Sequence, residues 1–216
     1  MPSRYISRDG EILADRFTDG PYIFQNVHTL GGAARHTAAH TALLRAAARM
    51  LFGFDPEITA DELRRRIARL TEACRMPSRV SVRAVVRLYP TGSIEIACDE
   101  PSIYAGYVLR SLRPDAICLR MAPPLPSLPT SAAEHTRQLA DTMAHTRGAR
   151  TAILTDSDGT VISESAQPIF IVNGYTVSTP AVSAAEEAVE RRLVRESLRQ
   201  TDLTFAERLI TLDTLA

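Results

Sequence analysis

The chain has 216 residues, enough to bury a substantial core in one domain or two small lobes. Its apolar content of 45% indicates a globular protein, and 25 acidic residues cancel 25 basic ones, so net charge gives no argument for a nucleic-acid or membrane surface. No apolar run approaches the roughly 20 residues needed to span a bilayer, and the N-terminus has no signal-peptide core. A cytoplasmic protein is therefore expected.

The basic residues are all of one type: every one of the 25 is arginine, and the chain contains no lysine. A guanidinium stays protonated and is a poor nucleophile, so it cannot replace a lysine whose amine does chemistry. The three cysteines are far apart and lack paired metal-ligand spacing, which predicts reduced and mostly buried thiols.

Turn signals and hydrophobic periodicity predict an antiparallel sheet beside two helices in the first half. Thr59 and Glu62 have capping-box spacing at the start of the second helix. The predicted elements are a hairpin at 4–13, a strand at 22–27, helices from about 35 to 53 and from 59 to about 74, and strands at 80–88, 93–98, 104–112 and 116–121. We expect these elements to form an N-terminal lobe over residues 1–121.

A proline-rich segment follows at residues 122–130, with four prolines in nine positions. Proline fixes φ and lacks a backbone donor, so this segment is predicted to be an extended connection between lobes. Ser131 and Glu134 then have capping-box spacing, and Gly148 is suited to end a helix that begins there. The second lobe is expected over residues 131–216.

Two tight turns organise the stretch from Gly148 to Pro180. Asp158-Gly159 and Asn173-Gly174 supply the positive φ angles of hairpins, and apolar β-branched residues flank both. The stretch is predicted to be an antiparallel meander of short strands. A charged helix at 184–200, a strand at 203–210 and the first turn of another helix complete the prediction.

This stretch, GARTAILTDSDGTVISESAQPIFIVNGYTVSTP, resembles the class IV pyridoxal-phosphate enzymes. These are the fold-type IV group of branched-chain and D-amino-acid aminotransferases and aminodeoxychorismate lyases. The resemblance rests on a helix ending at Gly148, the aspartate-glycine turn, Val161, and the hairpin closing on Thr179-Pro180. It implies an α+β fold of two lobes, like D-amino-acid aminotransferase, with antiparallel-rich sheets and flanking helices. Against that pattern the chain is expected to be short at its C-terminus.

The resemblance also implies cofactor contacts, and this sequence departs from four of them. The lysine that holds pyridoxal phosphate as an imine corresponds to Thr130 or a neighbour, and the arginine that grips the phosphate corresponds to Leu43, three residues after His40. The carboxylate that pairs with the pyridine nitrogen corresponds to Ser163, with Glu164 one residue later on the other strand face.

The fourth departure lies at the helix N-terminus that takes the phosphate in the family, where the matching run is Ala188-Val189-Glu190-Arg191. A glutamate beside a phosphate dianion is repulsive by roughly 1 to 4 kcal/mol at contact distance. The positions of the former cofactor pocket are His40, Leu43, Arg87, Thr130, Ser163, Glu164, Ala188, Val189 and Glu190.

The chain is therefore interpreted as a lysine-free relative that keeps the scaffold without imine chemistry, acting as a ligand-binding or dimer-scaffold protein. The alternative is an active class IV aminotransferase or lyase that uses pyridoxal phosphate, or an amino or chorismate-type acid, in an atypical site. An incomplete chain is a third interpretation. No covalent cofactor is expected, and pyridoxal phosphate is implied by the resemblance only. The expected partners are a small anionic metabolite and a second copy or related subunit, with no nucleic acid and no membrane.

Two further side-chain pairs have alternative interpretations. Arg83 and Arg87 share a strand face and could hold a carboxylate or phosphate in the former pocket, or could pair across the sheet with acids such as Glu95. His36 and His40 have the spacing of a two-histidine metal pair, but no third ligand is evident, and a partly buried histidine pair is the favoured interpretation.

Overall fold

A computed structural model gives the fold and describes residues 5–79, 81–101, 115–126, 128–162, 168–182 and 187–215. The helices in this part of the chain are α1 (Thr37–Phe52), α2 (Ala60–Ala73), α3 (Ser131–Thr146), α4 (Val189–Leu198) and α5 (Leu212–Leu215). The strands are β1 (Ile6–Arg8), β2 (Glu11–Leu13), β3 (Ile23–Leu30), β4 (Ala33–Ala34), β5 (Val82–Leu88), β6 (Ile94–Pro101), β7 (Ala116–Arg120), β8 (Thr151–Thr155), β9 (Ile171–Asn173), β10 (Thr176–Thr179) and β11 (Thr204–Glu207).

The first six strands form one antiparallel sheet in the order β2-β1-β6-β5-β3-β4. Helices α1 and α2 pack against it, and apolar residues of α2 such as Leu63, Ile67 and Leu70 are fully buried. Residues of β5 alternate between buried and half-buried along the strand, as the sequence pattern predicted. One sheet face therefore carries the core, and the other carries polar side chains.

The predicted helix ends in this half are confirmed. Thr59 caps α2 by accepting a hydrogen bond from the backbone N–H of Glu62 at 3.2 Å. Helix α1 ends at Gly53, whose φ of 74° is in the left-handed region that a side chain disfavours.

The strand pairing in the second half differs from the prediction. Strand β7, which was expected to extend the first antiparallel sheet, pairs in parallel with β8 instead, and β10 pairs in parallel with β11. β9 and β10 form the expected antiparallel hairpin, and in the described residues the 156–159 turn leads to an antiparallel bridge between Thr155 and Val161. The cause is the helix between the partners, α3 or α4, because a crossover joins parallel strands whereas a tight turn joins antiparallel ones.

Contacts divide the chain into two compact units, residues 1–112 and 113–216, and β7 belongs to the second. The domain limits predicted from composition, 1–121 and 131–216, stay a prediction. Helix α3 begins one residue earlier than expected, because its cap is Thr130 and not Ser131. The predicted strand at 104–112 and the candidate residues Ser163 and Glu164 lie outside the described residues.

The three cysteines differ in exposure. Cys98 is buried and Cys74 half-buried, but Cys118 is exposed on β7, so the expectation of mostly buried thiols is wrong for Cys118. Burial, with the neighbouring Cys74 and Asp99, raises the pKa of Cys98 to about 12. No helix within the described ranges is both long and apolar enough to cross a membrane.

Candidate functional site

A polar cluster lies at one end of the six-stranded sheet, on the face opposite the helices. His28 of β3 and Arg83 of β5 are register partners, and Arg83 donates to Asp99 of β6 from Nε, at 3.0 Å, and from Nη2. Ser81 Oγ lies 3.4 Å from His28 Nδ1. We call His28, Ser81, Arg83 and Asp99 the polar face cluster. Its arginine side chain is 43% exposed, so a solvent-borne anion can reach it.

The electrostatics of this cluster favour a neutral histidine. Burial lowers the pKa of His28, and the positive charge of Arg83 lowers it further. The imidazole therefore remains neutral at pH 7 and can both donate and accept a hydrogen bond. Arg83 and Asp99 hold opposite charges at a half-exposed position, where an incoming carboxylate could replace Asp99 on the guanidinium fork.

The other end of the same sheet face is closed by the segment after β2. The Arg87 guanidinium carbon lies 4.0 Å from the ring centre of Phe17 and 4.1 Å from that of Tyr22. Arg87 is opposite Glu95 in the strand register. Of the two arginines singled out in the sequence, Arg83 is thus at the open end of the face and Arg87 is between aromatic rings.

A buried carboxylate fixes that closing segment. Glu95 is 1% exposed and accepts from Arg8 Nε at 2.5 Å, Thr18 N at 2.8 Å, Thr18 Oγ1 at 2.6 Å and Tyr89 Oη at 3.0 Å. Burial alone would raise the pKa of Glu95, but the hydrogen bonds from Thr18, Arg8 and Tyr89 outweigh it and hold the pKa below its usual range. Because its acceptor sites are occupied by the protein, Glu95 is a structural anchor.

His40 and Leu43 lie on the helix side of the sheet, away from the polar face cluster. His40 is buried, with Nδ1 2.8 Å from Gln25 Oε1, and Leu43 is half-buried on the same helix. His36 is exposed and precedes α1 with a φ of 52°, so it does not share the regular helical spacing of His40. Among the described residues there is no cluster of three or more potential metal ligands.

The remaining candidate residues belong to the C-terminal unit. The Thr130 hydroxyl caps α3 by accepting from the N–H of Ala133 at 3.2 Å. Ala188 and Val189 are buried at the start of α4, where the cap position makes no side-chain hydrogen bond. Burial raises the pKa of Glu190, and a hydrogen bond from its own backbone N–H partly offsets the rise. Glu190 thus adds a carboxylate to the first turn of α4, where a phosphate would need the free backbone donors.

A buried ionic group lies beside this helix. Arg191 is 1% exposed and donates from Nη2 to Glu207 of β11 at 2.5 Å, while Glu187 accepts from Arg195 at 2.7 Å. Two buried hydroxyls, Ser178 Oγ and Thr179 Oγ1 on β10, have no hydrogen-bond partner in the described part of the chain. Thr179 is opposite Glu207 in the strand register, so it is on the same sheet face as this carboxylate.

Comparisons with solved structures identify the class of fold. A branched-chain aminotransferase from the archaeon Thermoproteus uzoniensis superposes with a TM-score of 0.76 at 20% identity over 99% of this chain and 80% of that one. An aminotransferase from Brucella abortus bound to pyridoxal phosphate gives 0.75 at 15% identity over 98% and 83%. The branched-chain aminotransferase of Escherichia coli gives 0.75 at 15% over 99% and 80%. The chain thus has the fold-type IV aminotransferase fold, with a curled antiparallel sheet.

The family follows from the sequence itself. A sequence model of the class IV amino-transferases matches residues 26–216, and the chain belongs to this family. No curated protein sequence matched the chain.

The residues present do not fit the cofactor that the family implies. The resemblance matched the lysine to Thr130 or a neighbour; Thr130 carries no amine, and its hydroxyl is used as a helix cap. Leu43 offers no charge to a phosphate, and Glu190 adds a carboxylate to the first turn of α4, the helix N-terminus that the resemblance matched to the phosphate site. We therefore derive no chemical step through pyridoxal phosphate.

Sequence reasoning missed several of the residues that form these clusters. His28 and Asp99 were not singled out, although His28 sits at an outward position of an alternating strand, which is a usable signal. The acids Glu187 and Glu207, which pair with Arg195 and Arg191, had no signal either. Glu187 is buried although acids in a charged segment are usually exposed, and exposed Glu207 lies on a strand whose partner the sequence did not predict.

The Thr130→Ala variant should lose about 1 kcal/mol of unfolding free energy, because the N–H of Ala133 loses its cap. Urea denaturation measures this loss. The exposed Thr142→Ala change within α3 is the control, since its hydroxyl bonds only the carbonyl of Gln138 in the preceding turn. Equal stability of the Thr130 variant and the wild type would contradict the capping role.

Proposed function

We propose that the chain is a class IV family member that binds a small anionic metabolite at the polar face cluster and carries out no imine chemistry. The observation that carries the proposal is the lack of lysine in all 216 residues. An internal imine needs a primary amine that can lose its proton, and a guanidinium does not meet that need.

The polar face cluster supports the choice of an anionic ligand. Arg83 presents a planar fork that matches a carboxylate or phosphate, and Asp99 is its resting counterion. An anion that displaces Asp99 gains two parallel charge-assisted hydrogen bonds, while neutral His28 offers a further hydrogen bond. Lysine is not needed for such binding.

We also propose that the protein acts as a homodimer or pairs with a related subunit. A partner of this kind could complete a pocket that the chain forms only in part. Light scattering on the purified chain, alone and with a class IV relative, measures this association directly. A strictly monomeric species in both samples would contradict this part of the proposal.

A second candidate is noncovalent use of an anionic cofactor or acid in the C-terminal unit. It is favoured by the unpartnered buried hydroxyls of Ser178 and Thr179 and by the buried Nη1 and Nε of Arg191, which lack hydrogen-bond partners among the described residues. Buried polar atoms nearly always have a hydrogen-bond partner in folded proteins, and a water molecule or an anion would supply one to these atoms.

The test is a thermal-shift and calorimetric titration with pyridoxal phosphate, inorganic phosphate and succinate as separate probes. Saturable binding raises the Tm by mass action. The proposal expects succinate or phosphate to bind the wild type and to bind Arg83→Gln at least tenfold more weakly, from the loss of a charge-assisted pair worth about 1.5 to 3 kcal/mol. The control is Arg65→Gln, whose side chain is 67% exposed on α2.

The outcomes separate the candidates. Loss of binding in Arg83→Gln supports the polar face cluster. Binding that survives in Arg83→Gln but fails in Thr179→Val supports the C-terminal site instead. A wild type that binds none of the three probes contradicts the anion-binding proposal.

A further inference from the structure

A cavity of about 420 Å³ lies in the N-terminal unit, on the opposite side of the sheet from the polar face cluster. Its floor is formed by Thr29 of β3 and Val82 of β5, which are 2% and 1% exposed. One wall is the C-terminal turn of α2, with Thr71 and Glu72, and the other is the loop from Arg75 to Ser78. Its volume is more than tenfold that of a water molecule, about 30 Å³, and lies in the usual range of small-molecule sites, about 300 to 1,000 Å³.

Two side chains of opposite charge line this cavity and do not form an ion pair with each other. Glu72 and Arg75 both line it and are exposed, and neither forms an ion pair with any residue that the structure describes. Earlier in α2, Arg65 and Arg66 both pair with Glu62, whereas Arg69, outside the cavity lining, also forms no ion pair with a described residue. A free carboxylate and a free guanidinium at one cavity match a ligand that carries both an ammonium and a carboxylate group.

The rest of the lining is suited to an apolar ligand body. Val82 and Met76 line the cavity, together with Ala68 and Pro77. Methionine is flexible and adapts to ligands of different shape. Two of the three lining hydroxyls are already engaged: Thr29 Oγ1 accepts from the N–H of Val82 at 3.1 Å, and Thr71 Oγ1 donates to the carbonyl of Ala68 at 2.8 Å. The third, on Ser78, is exposed, so the floor offers mainly apolar contact and polar recognition belongs to the rim.

The backbone at Arg75 is held in a left-handed conformation beside the cavity. Arg75 has a φ of 52°, and two hydrogen bonds hold the turn: Arg75 N to Glu72 O and Met76 N to Thr71 O, each 2.9 Å. This is the helix-ending motif whose left-handed position is usually glycine. A side chain is disfavoured in that conformation, so the motif holds the Arg75 backbone in a fixed, strained position in the lining of the cavity.

We propose that this cavity binds a free α-amino acid with a large apolar side chain, with Glu72 receiving its ammonium and Arg75 its carboxylate. The proposal does not depend on the anion site, because Thr29 and Val82 alternate in sequence with His28 and Arg83 and therefore face the other side of the sheet. Binding here would give the protein a sensor for an amino acid, separate from its polar face.

The test is isothermal titration of the full chain with three probes that share one apolar body. L-Phenylalanine carries both charges, phenethylamine lacks the carboxylate, and 3-phenylpropionate lacks the ammonium. We expect saturable binding of phenylalanine and binding roughly 10- to 100-fold weaker for the other two, the range that one lost charge-assisted hydrogen bond gives. No saturable phenylalanine binding, or equal binding of either analogue, would overturn the proposal.

The Arg75→Gly variant separates a ligand-binding role from a structural one. Glycine relieves the left-handed strain, so the Tm should hold or rise by up to about 4 °C while phenylalanine affinity falls roughly 10- to 100-fold. Glu72→Gln should weaken phenylalanine similarly but leave 3-phenylpropionate unchanged. The controls are Arg69→Gln, exposed on α2 outside the lining, and Arg83→Gln at the polar face cluster, both with unchanged phenylalanine affinity. Unchanged affinity in Arg75→Gly would refute the site.

Discussion

Replacing Arg191 with alanine is expected to lower the free energy of unfolding by about 3 to 5 kcal/mol, the largest loss among the single substitutions considered for this chain. Arg191 is 1% exposed and bonds Glu207, and its Nε lies 3.9 Å from Glu187 Oε1. Removing the guanidinium leaves Glu187, itself 4% exposed, with Arg195 as its one remaining ion-pair partner among the described residues, and it opens a cavity the size of an arginine side chain. The free energy of unfolding from urea denaturation measures the loss.

Arg195→Ala is the matched control for this prediction. Its side chain is 36% exposed and it donates to the same Glu187 at 2.7 Å, so Arg195→Ala should cost about 1 to 3 kcal/mol, less than the loss of the fully buried Arg191. Arg191→Met keeps much of the side-chain volume, and its loss of unfolding free energy should fall between those of Arg191→Ala and Arg195→Ala. The cavity is smaller, while the carboxylates still lose their partner. If Arg191→Ala cost no more than Arg195→Ala, the buried ionic group would not hold the C-terminal unit together.

The Glu95→Gln variant should lose about 2 to 4 kcal/mol of unfolding free energy at pH 7. Four donor groups point at this carboxylate, from Arg8, Thr18 and Tyr89, and the amide NH₂ of glutamine cannot accept from any of them. Each buried donor left unsatisfied costs about 1 to 3 kcal/mol, less where solvent can reach it, as at half-exposed Arg8. Tyr89→Phe, which removes one of the four bonds, should cost about 1 kcal/mol. If urea denaturation showed a larger loss of unfolding free energy for Tyr89→Phe than for Glu95→Gln, this account would be contradicted.

The same carboxylate gives a pH dependence of definite sign. The folded-state pKa of Glu95 is lowered, so its contribution is fully present above the unfolded-state pKa of about 4.3 and is lost as the pH falls through the folded-state value. The stability gap between wild type and Glu95→Gln should therefore be constant above about pH 5 and should shrink below about pH 4. If the difference in unfolding free energy between the two proteins grew as the pH fell, the pKa of Glu95 would not be lowered in the folded state.

Local chemistry made much of the fold predictable. The Thr59 cap, the Gly53 helix end and the alternation of β5 each depend on a few neighbouring residues, so the sequence carries them directly. The partner of a strand depends on residues far away in the chain. β7 was assigned to the wrong sheet because its own residues look the same whether it pairs with a preceding strand or, across a helix, with β8.

The candidate site was harder to predict because it depends on which side chains meet. The position of Arg83 on an outward strand face followed from alternation, but its pairing with Asp99 depends on the register shift between Val82 and Ala84. The burial of Arg191 was hidden by its place in a charged helix, where an arginine normally faces solvent. The family resemblance indicated the candidate site positions, and the structure showed which residues each of them contacts.

The central claim is that this class IV protein forms no imine with pyridoxal phosphate. The most direct measurement is the intact mass of the purified chain after incubation with pyridoxal phosphate and reduction with borohydride, with a lysine-bearing class IV aminotransferase treated in parallel. A reduced adduct should appear on the aminotransferase. We predict that this chain, which has no lysine, keeps its unmodified mass apart from the trace expected at its α-amino terminus. A stoichiometric adduct on an internal peptide would contradict the claim.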